Sequence, residues 1–302
     1  MENNLSDKNE NKDRKGRGVS HSKIILMGEH SVVYGYPAIA IPLKNIRMEC
    51  IVERATVPFV HNKKDTLSTA IYTALNYLNR KNENIKYKVI SDIPPKRGMG
   101  SSAAVSIAAI RGVLDYFNTE VDNLTLEKLV NEAEIIAHNT PSGLDAKTCL
   151  SDSAIKFIKN KGFKNLEMNL EAYLLIADTG IHGHTRDAIM NIKNMGGRAL
   201  PMLEKLGKLT EETEKFIEEK DVINIGKNMI SAHGELKKLG VSIEKSDVLV
   251  KTAIDEGAYG AKMSGGGLGG CIIALMESKE KAEMTGKKLM EKGAVNIWIE
   301  AL

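Results

Sequence analysis

Two glycine clusters constrain this chain more than any other feature. One is Gly98-Met99-Gly100-Ser101-Ser102-Ala103; the other, Gly265-Gly266-Gly267-Leu268-Gly269-Gly270, has five glycines in six positions. Both fit the letters of G-x-G-x-x-G/A. In a dinucleotide-binding fold that pattern joins a strand directly to a helix, with an acid ~20 residues on. Neither stretch has this setting. The first follows Asp92-Ile93-Pro94-Pro95-Lys96-Arg97, a poor strand end, and the second runs into the strand-like Cys271-Ile272-Ile273-Ala274-Leu275. G-x-x-x-x-G-K-[ST] is absent as well, so no Walker loop is present.

The first cluster keeps the physics of an anion site. Glycines let successive backbone N–H groups turn toward one point. A helix pattern opens at Ser101 and adds unsatisfied N–H groups and a positive dipole end. Ser101 and Ser102 supply hydroxyls, while Ala103 and Ala104 keep the first turn slim. A capped helix after a Pro-Gly turn explains the stretch equally well. The second cluster reads either as a close backbone approach to another element or ligand, or as a flexible hairpin tip. Lys262-Met263-Ser264 ahead of it resembles an ordered approach.

Two further residues stand out. Asp145 ends Asn139-Thr140-Pro141-Ser142-Gly143-Leu144-Asp145, where a Pro-Ser-Gly turn would hold a carboxylate at a loop end as a base or metal ligand. Lys23 interrupts the apolar run Ser22–Met27. A lysine on such a strand needs a partner, and Asp145 is one candidate.

The rest of the chain reads as two α+β halves. Residues 1–18 form a polar tail without an apolar signal segment, read as disordered. Residues 19–165 and 166–302 form two domains, separated near Asn160-Lys161-Gly162. Strands are expected at Ser22–Met27, in 38–53 with a break at Pro42, and at Ile85–Ile90, Tyr173–Ala177, Ala261–Ser264, Cys271–Met276 and Val295–Ile299. Helices are expected at Leu67–Asn79, from Ser101 to Phe117, from a Thr125 cap to His138, and at Met202–Glu219, Val222–Leu239, Asp247–Gly257 and Lys279–Lys292.

Composition excludes several classes. The 302 residues are 42% hydrophobic, enough for real cores. Lys plus Arg number 42 against 39 acids, so charge does not suggest nucleic-acid binding. Aromatics at 5% disfavour stacking platforms for single strands. No apolar run approaches the ~20 residues of a membrane helix. Cys50, Cys149 and Cys271 form neither a disulfide framework nor a zinc pattern, which suits a cytoplasmic protein. His182 and His184 alone are too few for a metal site.

Together these motifs resemble the GHMP small-molecule kinases. His21–Ala40 is similar to the family's first motif, Pro94–Ala104 to its phosphate loop, and Lys262–Cys271 to its third motif. Pro141-Ser142-Gly143-Leu144-Asp145 resembles the catalytic segment of the branch that phosphorylates mevalonate, and the compact chain resembles the Gram-positive form of that branch. Met99, Ser31 and Asn139-Thr140 depart from the usual residues without removing a reactive group.

The resemblance implies a ribosomal protein S5 domain 2-like N-terminal domain and a ferredoxin-like C-terminal domain, with the active site in the cleft between them. It implies ATP and mevalonate as substrates and Mg²⁺ as cofactor. It implies no nucleic-acid or membrane partner, and a monomer or homodimer. Pro95, Lys96, Arg97, Gly98, Met99, Gly100, Ser101, Ser102 and Ala103 would bind ATP, with Ser102 and Glu134 on Mg²⁺. Asp145 and Lys23 would be catalytic. Glu29, His30, Tyr34, Arg186 and Gly266 would contact the acceptor. A phosphomevalonate-specific relative would need an extra anion site. A non-catalytic ATP-binding sensor of the same fold would not need Lys23, Glu134 and Asp145 together.

Overall fold

A computed structural model of the chain describes residues 14–138 and 143–302. The tail before residue 14, and Asn139-Thr140-Pro141-Ser142 of the catalytic segment, lie outside the described residues. The fold contains two antiparallel sheets and nine helices among the described residues, in two compact units.

These units are interleaved in sequence. The first takes Met1–Ser22, Lys44–Pro94 and Gly100–Leu150; the second takes Lys23–Leu43, Pro95–Met99 and Ser151–Leu302. This differs from the expected split into two consecutive segments. The physical reason is that β1 (Lys15–Met27) and β2 (Pro37–Arg54) are long strands whose two ends belong to different units. Asn160-Lys161-Gly162 is no boundary. It is the turn joining β4 (Ala154–Ile158) to β5 (Gly162–Leu166), closed by the Lys161 N–H on the Ile158 carbonyl, with Asn160 at φ 67°. Turn residues inside a hairpin and in a linker look alike in sequence.

In the first unit, β2 pairs with β3 (Ile85–Ser91) from Met48↔Ser91 to Arg54↔Ile85. Helices α1 (Thr66–Tyr77), α2 (Ser101–Tyr116), α3 (Asn123–His138) and α4 (Leu144–Leu150) pack on one another, with α2 touching the other three. Asp65 caps α1 by accepting from the Ser68 N–H. Asp122, not Thr125, caps α3, its Oδ1 accepting from the Thr125 N–H at 2.7 Å. An Asp at N-cap reaches the third residue's N–H, so the expected cap was displaced by three positions.

Strand β1 starts at Lys15, within the stretch expected to be tail. Its inward positions there are Gly16, Gly18 and Ser20. These small residues lie on α2: a Cβ at Gly18 would fall 2.0 Å from the Ala108 carbonyl oxygen. The alternation is real but is written in residues with no hydrophobic signal.

In the second unit, β2 pairs with β4 from Pro37↔Ile158 to Ala40↔Ile155. Pro42 does not break β2. It falls after the residues that pair with β4 and before those that pair with β3. The second sheet has the order β7 (Gly260–Ser264), β8 (Cys271–Met276), β6 (Tyr173–Asp178), β9 (Asn296–Ala301). Its apolar face is covered by α8 (Glu244–Asp255) and α9 (Lys279–Glu291) around Leu175, Ala253, Ile272, Ala274 and Leu289. Helices α5 (Thr185–Met195), α6 (Leu200–Glu218) and α7 (Val222–Lys238) complete the unit.

Candidate active site

In the second unit, three stretches of chain are woven together by backbone hydrogen bonds. Gly183 N–H donates to the Lys96 carbonyl at 2.8 Å, His184 N–H to the Gly267 carbonyl at 3.0 Å, and Gly270 N–H to the Ile181 carbonyl at 2.8 Å. Leu268 N–H donates to the Val241 carbonyl at 2.7 Å, and Thr179 Oγ1 to the Gly270 carbonyl at 2.6 Å. The five-glycine segment is therefore pinned, not a loose hairpin tip. Its glycines permit contacts that no side chain would allow: a Cβ on Gly265 would lie 3.0 Å from Gly98 Cα, and one on Gly266 would lie 1.8 Å from Thr185 Oγ1.

Within the segment expected to bind ATP, Pro95 and Lys96 are exposed, whereas Arg97 and Met99 are buried. Arg97 does not reach outward. Its Nε lies 2.7 Å from Asp178 Oδ1 at the end of β6, and its Nη1 is buried without a hydrogen-bond partner. Met99 offers its carbonyl to the Lys23 N–H at 3.2 Å. Lys23 itself is 2% exposed on β1. Gly100, at φ 70°, is the N-cap of α2 and places no side chain over its first N–H groups. No side chain caps the first turn of α2.

The first unit holds the other half of the expected residues. Ser102, in the first turn of α2, donates its Oγ to Glu134 Oε1 on α3 at 2.9 Å; Ser106 Oγ, one turn later, donates to the same oxygen at 3.1 Å. Glu134 is 6% exposed. Among the described residues, no cluster of three or more His, Cys, Asp or Glu could hold a metal ion. One carboxylate and one hydroxyl make an incomplete cage of the kind Mg²⁺ accepts when phosphates and water complete its shell. Asp145 stands in the first turn of α4, not at a loop end. The seven-residue helix is too short to show an apolar period, while an acid near its N-terminus is favoured by the helix dipole.

Glu29 and His30 form the most constrained part of the site. The Ser31 N–H donates to the Glu29 carbonyl at 2.6 Å across His30, whose φ of 61° and ψ of −42° make this a γ-turn of positive φ. Such strain in a non-glycine residue persists only where the surroundings enforce it. Burial lowers the His30 imidazole to about 4, although a hydrogen bond with the Gly266 backbone opposes this. Its Nε2 has no partner, nor has Oε2 of Glu29, which is 1% exposed. Glu29, His30 and Gly266 therefore come together as expected. Tyr34 is exposed on the 3-10 turn Ser31–Tyr34, and Arg186 is exposed on the first turn of α5; neither hydrogen-bonds to Glu29 or His30 among the described residues. His184 faces Asp187 at 3.6 Å.

Lys262 was read only as an approach to the glycine segment. It is fully buried on β7 and paired with Glu29 Oε1. Its signal was the one that exposed Lys23, a lysine flanked by apolar residues on a strand. Asp178 and Thr185 carried no comparable signal. Burial holds two of the thiols protonated: Cys50 is pushed up to about 12, and Cys271 is raised as well.

The family model described as GHMP kinases N terminal domain matches residues 68–152, and that described as GHMP kinases C terminal matches 213–293. The chain is 32% identical to the mevalonate kinase of Pyrococcus furiosus over 89% of its own length and 91% of the relative's. Its fold is similar to the mevalonate kinase structure from Methanococcus jannaschii, with a TM-score of 0.84, 25% identity and coverage of 96% and 99% of the two chains. It is likewise similar to that from methicillin-resistant Staphylococcus aureus, with a TM-score of 0.78, 29% identity and the same coverages. The chain belongs to the GHMP kinases, and it is an ATP-dependent small-molecule kinase. No helix among the described residues is long and apolar enough to cross a membrane.

Proposed function

We propose that the protein transfers the γ-phosphoryl group of ATP to the C5 hydroxyl of mevalonate. The observation that carries this reading is the likeness, over nearly the whole chain, to proteins named mevalonate kinase. Buried Glu29 and His30, each with one unpartnered polar atom, support it as groups suited to the hydroxyls of a small acceptor.

Phosphoryl transfer asks a protein mainly for positioning and charge stabilisation. The backbone from Gly98 to Ser102 cradles the phosphates of ATP at the uncapped start of α2. Ser102 and Glu134 would hold Mg²⁺, whose charge would offset that of the ATP phosphates. Asp145 accepts the proton of the C5 hydroxyl as its oxygen bonds to the γ-phosphorus and the bond to the departing ADP oxygen breaks. Lys23, buried on β1, is assigned to lower the pKa of the hydroxyl through its positive charge. His30, neutral across the physiological range, donates or accepts one hydrogen bond from the acceptor. Arg186 is assigned the acceptor's carboxylate, which its fork of donors suits. The buried thiols fit a reducing, cytoplasmic setting.

An ADP-coupled assay with mevalonate, phosphomevalonate, homoserine and galactose tests the assignment. Turnover with mevalonate at the highest kcat/KM is expected. Turnover preferring another acceptor overturns the substrate, and tight ATP binding without ADP formation with any of them favours a sensor.

A further inference from the structure

Lys262 is the largest fully buried side chain among the described residues, and nothing in the phosphoryl-transfer scheme uses it. A lysine three positions before a glycine segment could extend along it toward a ligand. Here it does not. Its ammonium pairs with Glu29 Oε1 and donates to the Met263 carbonyl at 2.8 Å. The N–H of Met263 is taken by His233 Nδ1 at 3.3 Å, and His233 Nε2 is 3.2 Å from Asp247 Oδ1. Strand β7 is an edge of its sheet. Side chains thus claim both backbone groups of Met263, and Ser264 Oγ ties the strand's end to the Ile25 carbonyl of β1 at 2.7 Å.

The strained turn at His30 is therefore attached to the strand edge by the Glu29–Lys262 ion pair, beside the contacts that Glu29 and His30 make with the backbone of Gly265 and Gly266 just after β7. Only one oxygen of Glu29 is engaged by Lys262; the other is buried and unpartnered, as is Nε2 of the adjacent His30. We propose that Lys262 is a positioning residue for the acceptor: it anchors the Glu29–His30 turn to β7 so that these two polar atoms are presented to the acceptor's hydroxyls, and it plays no part in holding ATP. This rests on the reading of Glu29 and His30 as acceptor contacts. The charges support the geometry. Burial pushes the Glu29 carboxyl up and the Lys262 ammonium down, and each partner opposes the other's shift. Without the ammonium, Glu29 would take up a proton nearer neutral pH.

The test compares Lys262→Met and Lys262→Gln with the parent protein. Gln keeps a hydrogen-bond donor and covers the case in which Met does not fold. Both should raise the KM for mevalonate by roughly tenfold or more, the effect of losing one charge-assisted contact. The KM for ATP should stay within about twofold, since uniform loss of acceptor binding leaves the nucleotide site alone. The acid limb of kcat/KM for mevalonate should move to higher pH, a change that a merely structural lysine would not cause. The proposal is overturned if folded variants keep the parent's acceptor KM and pH profile while losing only thermal stability, or if the KM for ATP rises by the same factor. A parent that uses another acceptor ends the mevalonate reading, and the same comparison on that acceptor's KM still decides for or against Lys262.

Discussion

Arg97 and Asp178 form a buried ion pair, Nε to Oδ1 at 2.7 Å and Nε to Oδ2 at 2.9 Å, that ties the segment ahead of α2 to the end of β6. Asp178 Oδ1 also accepts the Gly180 N–H at 2.7 Å, so one carboxylate fixes both the 95–99 segment and the 179–184 strap. Side chains 10% and 4% exposed leave little solvent to compensate a broken pair.

Arg97→Ala should accordingly destabilise the fold by about 3–5 kcal/mol, the usual cost of leaving one buried partner unpaired. Removing both charges with Arg97→Met and Asp178→Asn together should cost less than Arg97→Ala alone. Urea unfolding of the three proteins checks this. A double variant destabilised as much as Arg97→Ala, or more, would contradict a coupled buried pair.

Glu134→Gln removes charge but little volume from the pair with Ser102. The Mg²⁺ concentration for half-maximal activity should rise roughly tenfold, the effect of one charge-assisted contact. Nucleotide affinity without Mg²⁺, followed by calorimetry, should stay near that of the parent. An unchanged Mg²⁺ titration removes Glu134 from the metal site.

Gly266→Ala tests the packing of the glycine segment. The new Cβ would lie 1.8, 2.6 and 2.9 Å from Oγ1, Cβ and Cγ2 of Thr185. Three atoms of one β-branched side chain cannot all give way without moving the start of α5. A loss of about 1–3 kcal/mol is expected, the range for overpacking. Thr185→Ala in the same chain should restore part of it, measured as the unfolding midpoint.

His30 makes stability pH-dependent. Its imidazole titrates at about 4 in the folded protein against 6.5 as its ordinary value, because burial disfavours the cation. The unfolded chain binds the extra proton, so this contribution is fully present above pH 6.5 and is lost as pH falls toward 4. It amounts to about 3 kcal/mol at most. His30→Asn should flatten the fall in unfolding free energy over that window by close to one proton. An unchanged slope would mean that the imidazole is not desolvated.

These groups differ in how far the sequence disclosed them. The glycine segments and Lys23 stand out because each violates a local rule: too many glycines, and a lysine among apolar residues; Glu29 and His30 are reached only through the family resemblance. The main strands and helices follow from hydrophobic period, and β6, β8 and α9 were placed within a residue or two. Other features have no local signature. Gly16 and Gly18 alternate inward on β1 without side chains to reveal it. Helices α4 and α5 are missed because one is a single short stretch and the other is amphipathic in mostly polar residues. Asp178 looks like any strand-end acid, and only the fold brings Arg97, 81 positions earlier, to it.

Asp145 on α4 and Lys23 on β1 are the proposed catalytic groups. Lys23→Met and Asp145→Asn should each lower kcat by roughly 10²-fold or more, on the scale of a general-base contribution. Their combination should be little worse than either alone, because residues acting as a unit are not additive. Multiplied rate defects would separate their roles.

The central claim is the identity of the bond made. Phosphorus NMR of the parent protein with ATP, Mg²⁺ and mevalonate tests it most directly. The account predicts ADP and one new phosphomonoester in equal amounts, its phosphorus coupled to the two protons on C5 of the acceptor. ADP with inorganic phosphate alone, or no product with mevalonate while homoserine or galactose gives a phosphomonoester or phosphomevalonate gives a diphosphate, would contradict it.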